Sequence, residues 1–308
     1  MPASPMSASP YEVLGVTASA SQDELRKAYR RLLRETHPDT GGDANRFRQL
    51  QEAWELIGTE DARASFDRIH VTVDGGSSWA PRPAPRKDTR PRARAYGHPG
   101  GWRRERYLGL IREWAGRGVA LDDPYEPSLV RSAPRELRHL LADALAEEST
   151  ARTLSDLGIG YTIWHDVSTA DPASPHGADQ KIDHVVLGPT GLHAMLSEDY
   201  GGPVGVKRGE LAGEAVAGER PVHELASRAK TVARRCRVRF TALVIVLPDE
   251  ALPESVVSLG AVRGAPAVAV QQSALSRLLR EGVPGSRTVG GNELFDIRTR
   301  LQAGIRFV

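Results

Sequence analysis

"ELRKAYRRLLRETHPDTGG", residues 24–42, decides how the first half of the chain begins to fold. Leu25, Ala28, Tyr29, Leu32 and Leu33 recur at helical spacing, so one stripe of the segment is apolar. Lys27, Arg30, Arg31 and Arg34 recur at i, i+3, i+4 and i+7 and define a separate cationic face. Just upstream, Ser21 followed three residues later by Glu24 is a capping-box start. The stop is equally sharp, because the residue before a proline avoids the helical region and Pro38 therefore ends the helix. Beyond "DTGGD", Phe47, Leu50, Ala53, Trp54 and Ile57 form a second apolar stripe, with Asp43 placed as an N-cap. Two such helices joined by a short loop predict a helical hairpin, with short segments at 11–14 and 61–66 covering its ends.

Composition narrows the class of molecule around that hairpin. A chain of 308 residues with 40% hydrophobic and 26% charged side chains is globular and long enough for two domains. Its apolar runs, such as "ALVIVLP" at 242–248, are strand-sized, so no membrane span is expected. "MPASPMSASP" lacks the basic start and apolar core of a secretory signal. The single cysteine, Cys236, precludes an internal disulfide and a multi-cysteine metal site, and reads as a packed thiol; a cytoplasmic location is expected.

The formal net charge of +2 is unevenly spread. Residues 1–70 carry 9 basic and 11 acidic side chains, 71–106 carry 9 and 3, and the remainder 23 and 25. Positive charge therefore sits in the join between two near-neutral halves, which argues against a nucleic-acid-binding domain. "APRPAPRKDTRPRARAYGHPGG" (80–101) is rich in Pro, Arg, Ala and Gly and cannot bury enough apolar surface to order itself. A disordered basic linker over 69–101 is expected; its arginines leave nucleic-acid contact open.

After the linker, helical patterns at 102–118 and 134–157 give way to β-rich runs at 161–167, 181–188, 192–196 and 240–248, with a weaker one at 265–270. "VHELASRAKTVARRC" and "SALSRLLREG" supply helices between and after them, so a mixed α/β sheet with flanking helices is expected. Gly188-Pro189-Thr190-Gly191 reads as a tight hairpin turn.

His37-Pro38-Asp39 admits three readings: a helix stop in a solvated loop, a metal or acid–base site, or a rigid docking tip beside the cationic face. The site reading is weak, since the first half has one other histidine, His70, and no cysteine. "SPYEVLGVTASASQDELRKAYRRLLRETHPD" with "FRQLQEAWELIGTEDARASFD" resembles the J domain of DnaJ-type co-chaperones over residues 9–67. That resemblance implies a partner rather than chemistry: a DnaK-type ATPase chaperone. Lys27, Arg30, Arg31 and Arg34 would face its acidic surface, and His37, Pro38 and Asp39 would trigger ATP hydrolysis. The family's glycine/phenylalanine-rich stretch and cysteine-rich zinc module are missing, so the second half would be an unrelated specialist module.

"KIDHVVLGPTGLHAMLSEDYGG" (181–202) resembles the nuclease-related domain, NERD, a relative of the restriction-endonuclease fold. Asp183, Gly188, Pro189, Gly191, Tyr200 and Gly202 carry the match, within a domain at 102–308 whose core would span about 135–280. Such chemistry needs two acids to hold Mg²⁺ and a lysine two residues past the second. The resemblance places Asp183 as the first acid and Glu147 as the helix glutamate. Leu196 then stands where the second acid belongs, Glu198 where the lysine belongs, and Glu224 where the family has glutamine. An apolar residue cannot bind the metal, and an acid cannot replace the lysine's charge. His165 and His184 read as exposed strand residues rather than ligands.

The expected architecture is therefore a helical J domain at 9–68, a basic linker at 69–101 and a degenerate nuclease-like α/β domain at 102–308. The expected role is a co-chaperone with neither catalytic residue, metal nor cofactor, delivering a DnaK-type ATPase to a target of the second domain. The alternatives are a metal-dependent nuclease or nucleic-acid-binding protein using Asp183 and the linker, and a scaffold anchored to the chaperone.

Overall fold

The computed structural model of the chain describes residues 4, 6, 9–17, 19–36, 43–71, 91–116, 121–170 and 181–308. The chain divides into two compact units, Met1–Ala3 with Ser7–Pro81 and Ser4–Met6 with Arg82–Val308.

The first unit is helical: α1 (Pro10–Val13), α2 (Gln22–Thr36), α3 (Ala44–Ile57) and α4 (Glu60–Val71). Its starts are fixed locally. In front of α1, the Ser9 hydroxyl accepts from the Glu12 amide while the Glu12 carboxylate accepts from the Ser9 amide. Ser21 and Glu24 repeat the exchange at α2, with the Ser21 amide donating to Glu24 Oε2 at 2.7 Å. Asp43 accepts from the Arg46 amide at the start of α3. Helix α2 ends at Thr36, two residues before Pro38. Leu14, Leu25, Leu50 and Ile57 form the sealed centre, joined by Tyr11 and flanked by Tyr29, Leu32, Leu33, Trp54 and Phe66. All of these are residues of the predicted stripes or of the two short segments, 11–14 and 61–66, expected to cover the hairpin. Tyr11 closes the unit, donating its hydroxyl to Asp67 at 2.8 Å and meeting the ring of Phe66 edge-on.

The second unit is built on one seven-stranded sheet in the order β1-β2-β3-β4-β7-β9-β8. The strands are β1 (Arg94–Tyr96), β2 (Thr162–Ser168), β3 (Lys181–Gly188), β4 (Gly191–Ser197), β7 (Ala242–Leu247), β8 (Val256–Val262) and β9 (Ala265–Gln271). A small ribbon of β5 (Gly205–Lys207) and β6 (Glu210–Ala212) stands apart. The helices are α5 (Gly101–Ala115), α6 (Pro127–Ser132), α7 (Arg135–Ser155), α8 (Pro221–Cys236), α9 (Leu275–Glu281) and α10 (Gly291–Gly304). Strands β2, β3 and β4 are antiparallel neighbours, and β4, β7 and β9 run parallel. Leu154 of α7 and Leu275, Leu278 and Leu279 of α9 pack with Val186, Met195, Val244 and Val268 on one side of the sheet. Leu225, Ala229 and Val232 of α8 and Leu301 of α10 pack with Leu187, Leu192, Leu196 and Ile245 on the other. Layers on both faces are what parallel strands require, and they explain why the central runs are apolar throughout rather than alternating.

Three expectations change. Arg94–Tyr96, assigned to the linker, pairs in parallel with β2 as an edge strand, because backbone hydrogen bonding to a finished sheet needs no apolar side chains. At the linker's other end, α4 continues to Val71, and residues 72–90 lie outside the described set. His165 and His184 are buried, not exposed, because both strands that carry them are covered on two faces. The hairpin turn stands as expected: β3 and β4 pair up to Gly188 and Gly191 across Pro189-Thr190. A Cβ at Gly188 would meet the Tyr161 ring, so only glycine admits that close approach. No described helix is long and apolar enough to cross a membrane.

Candidate functional site

In the first unit, the face to consider is on α2. Leu25 and Ala28 point into the core, and this leaves Lys27, Arg30, Arg31 and Arg34 exposed on the remaining surface. The Arg34 guanidinium donates to the Arg30 backbone carbonyl at 3.1 Å, laying the Arg34 side chain back along the helix. His37, Pro38 and Asp39 follow immediately and lie outside the described residues. Tyr29, on the same helix, stacks on Trp54 of α3 at 4.3 Å and 11°, which ties the helix that carries these cations to its neighbour.

In the second unit, charged side chains converge where β3 begins and β4 ends. Lys181 opens β3, and its ammonium donates to Glu147 of α7 at 2.6 Å, Asp166 of β2 at 2.7 Å and Asp183 at 2.8 Å. Beside it, Arg103 of α5 pairs with Asp143 and reaches Glu147 at 2.6 Å, Glu198 at 3.2 Å and Asp183 at 3.7 Å. Backbone amides complete the shell: Gly100 donates to Glu147, Ser197 to Asp183 and Asp199 to Asp143. Asp166 holds a left-handed backbone with φ 52°, an uncommon conformation that Asp tolerates better than most residues.

The electrostatics follow from burial. Desolvation, reinforced by the neighbouring Asp183, pushes the Glu147 carboxyl up to about 8 despite Lys181 and Arg103. Burial also drives Asp143 well above the ordinary carboxylate range. For Asp183 burial acts in the same direction, but the Lys181 and Arg103 cations outweigh it and hold the group below its usual range. Burial would lower Lys181, yet Asp183 and Glu147 raise it further, so the ammonium stays charged. A cavity of about 210 Å³ opens onto this cluster, lined by Trp102, Arg103, His139, Lys181, Glu198 and Glu219 among others. Burial raises Glu219 as well, helped by Glu198 and Glu224.

A polar chain runs inward from the cluster. His165 and His184 share a 2.7 Å Nδ1–Nδ1 contact, so one ring donates and the other accepts. His184 Nε2 meets Ser197 Oγ, which donates to Thr150 Oγ1 at 2.9 Å, and Thr150 donates to Gln272. Burial lowers both histidines, His165 to about 4, so the pair is uncharged near neutral pH.

Of the residues singled out from sequence, Glu147, Asp183 and Glu198 do come together, through Arg103. Leu196 does not join them and packs in the apolar layer under α8. Glu224 pairs with Arg228 at 3.0 Å on an exposed surface. The divalent ion implied by the nuclease-related resemblance does not fit these residues. Leu196 offers no oxygen, the Glu198 carboxylate is taken up by a guanidinium, and an ammonium stands between Glu147, Asp166 and Asp183. Four members of the cluster were not anticipated: Arg103, Asp143, Asp166 and Lys181. A signal for two of them existed. His139, Asp143 and Glu147 are spaced i, i+4, i+8 on one helix, and Lys181 and Asp183 are two apart on one strand. Arg103 and Asp166 carried no such mark.

The comparisons bear on the first unit. Residues 9–67 match the family described as DnaJ domain. Residues 9–67 are a J domain. Over 62 residues the chain is 49% identical to the chaperone protein DnaJ of Bacillus cytotoxicus, covering 19% of this chain and 17% of that protein. The DnaJ of Bordetella petrii is 46% identical over 69 residues, 21% of this chain and 18% of that protein. A DnaJ protein homolog of Cucumis sativus is 45% identical over 58 residues, 19% and 14%. The chain thus spans under a fifth of the length of these relatives, and what it shares with them is the J domain.

Proposed function

We propose that this protein is a co-chaperone whose J domain docks on a DnaK-type ATPase and stimulates its ATP hydrolysis. The observation that carries this is the DnaJ-domain match at 9–67 together with the exposed cations Lys27, Arg30, Arg31 and Arg34 on one face of α2. Clustered cations steer an acidic partner surface into register before short-range contacts form. His37, Pro38 and Asp39, which follow α2 in sequence, would then trigger hydrolysis, with Asp39 the residue least open to replacement. The J domain supplies no nucleophile or base; its work is to shift the partner's conformation.

The second unit is read as a targeting module of the nuclease-related, restriction-endonuclease-like type that does not cleave nucleic acid and takes no metal. Support comes from Leu196 in the core, the Glu198–Arg103 ion pair and the Lys181 ammonium among the acids. A cytoplasmic setting accords with a DnaK-type partner.

The test is single-turnover ATP hydrolysis by a DnaK-type chaperone with the wild-type chain and with Asp39→Asn. Stimulation by the wild type that disappears in the variant is the expected result. Equal stimulation by both proteins, or none by the wild type, removes the reading.

A further inference from the structure

Three carboxylate oxygens from α7, β2 and β3 surround Lys181 Nζ at 2.6, 2.7 and 2.8 Å. Three acceptors saturate the three N–H bonds of an ammonium. The same set, all hard oxygen donors on three separate elements, is what a divalent cation such as Mn²⁺ or Mg²⁺ takes. Asp183 and Lys181 are almost wholly buried, so their charges cannot be screened by solvent, and Glu147 is buried beside them.

We infer that Lys181 is the resident cation of this site, occupying with its own side chain the position a divalent metal would take among Glu147, Asp166 and Asp183. The chain carries its counter-ion covalently. This rests on the non-cleaving reading of the second unit and explains how that unit keeps an acidic cluster in its interior without a metal. Arg103 does the same further out, between Asp143 and Glu198. Five carboxylates face these two cations: Asp143, Glu147, Asp166, Asp183 and Glu198. Removing Lys181 leaves Arg103 alone against them and opens the volume of a four-carbon stem. The cavity that Lys181 already helps to line supplies a route for an ion. The vacated site would therefore bind a divalent cation that the wild-type site excludes.

The experiment is a thermal unfolding series on the full chain, with and without Mn²⁺, for wild type, Lys181→Ala and Lys181→Ala/Asp183→Asn. The wild-type midpoint should be unmoved by Mn²⁺. Lys181→Ala should melt earlier and recover with Mn²⁺, binding it at least tenfold more tightly than wild type, and the double variant should lose that recovery. If Lys181→Ala does not fold alone, Mn²⁺-dependent appearance of its folded circular dichroism is the same readout. Stabilisation of wild type by Mn²⁺ as large as that of Lys181→Ala overturns the inference. So does a Lys181→Ala protein indifferent to Mn²⁺. Failure of the co-chaperone reading would appear instead in ATP hydrolysis and leave these melts unchanged.

Discussion

Arg103 Nε and Glu147 Oε1 lie 2.6 Å apart inside the second unit, the carboxylate fully buried and the guanidinium nearly so. The pair ties α5 to α7, and the same guanidinium also holds Asp143 and Glu198. Arg103→Met keeps much of the length of the side chain but leaves a set of buried carboxylates with Lys181 alone. Loss of one partner of a buried pair costs about 3–5 kcal/mol. The urea midpoint of the second unit, followed in the full chain, should fall accordingly; an unchanged midpoint would show that the cluster is stable without its outer cation.

Tyr29 and Trp54 are the corresponding tie in the J domain, with rings stacked at 4.3 Å. Trp54→Ala removes the stack and some of the packing around Leu25 and Leu50, and a loss of about 2 kcal/mol is expected for a half-buried aromatic. Trp54→Phe should recover most of it. Calorimetry of the full chain reads both through the transition of the first unit.

The cationic face separates binding from folding. Arg30 and Arg31 are exposed, so the double change Arg30→Glu/Arg31→Glu should leave unfolding unchanged. Stimulation of a DnaK-type ATPase should drop more than tenfold, and the wild-type effect should weaken as salt is raised. Retained stimulation would place docking elsewhere than on α2.

Acid should unfold the second unit through its buried imidazoles. Burial lowers His193 to about 4 from 6.5, and neither of its ring nitrogens has a hydrogen-bond partner among the described residues. A depressed histidine contributes stability that is present above 6.5 and lost as pH falls through about 4, on the order of 3 kcal/mol for this shift. His193→Leu should therefore flatten the acid limb. Glu147 has the opposite sign: its pKa is raised to about 8, so its contribution is present below 4.5 and lost as pH rises through about 8. Glu147→Gln should flatten that limb instead. Unfolding midpoints between pH 4 and pH 8 distinguish the two variants.

Much of the fold was legible because its signals are local. Ser21 and Glu24 satisfy each other's amides within one turn, and the stripe from Leu25 to Leu33 needs only helical periodicity to be seen. The strands at 181–188 and 191–197 were bounded by Gly188 and Gly191, whose close approaches exclude other residues. Strand β8 at 256–262 escaped notice because it is a bulged edge strand with most side chains half-buried or exposed. Strand β1 was hidden for a related reason: a Pro/Arg-rich segment acquired order from its partner β2, not from its own side chains.

The sequence by itself determined the J domain, its cationic face and the presence of a mixed α/β unit, since capping, periodicity and turn chemistry act over a few residues. It also marked Glu147 and Asp183 as acids of interest. Only the tertiary structure decided what those acids do. Glu147, Asp166 and Asp183 come from α7, β2 and β3 and meet at one ammonium. They do so because the antiparallel pairing of β2 with β3 sets Asp166 near Lys181, and α7 lies against that end of the sheet. Arg103 joins them from α5, which precedes the sheet's core in sequence and reaches it by packing on α7. Long-range ion pairs carry no local pattern, because each partner is chosen by strand order and helix packing rather than by its neighbours along the chain.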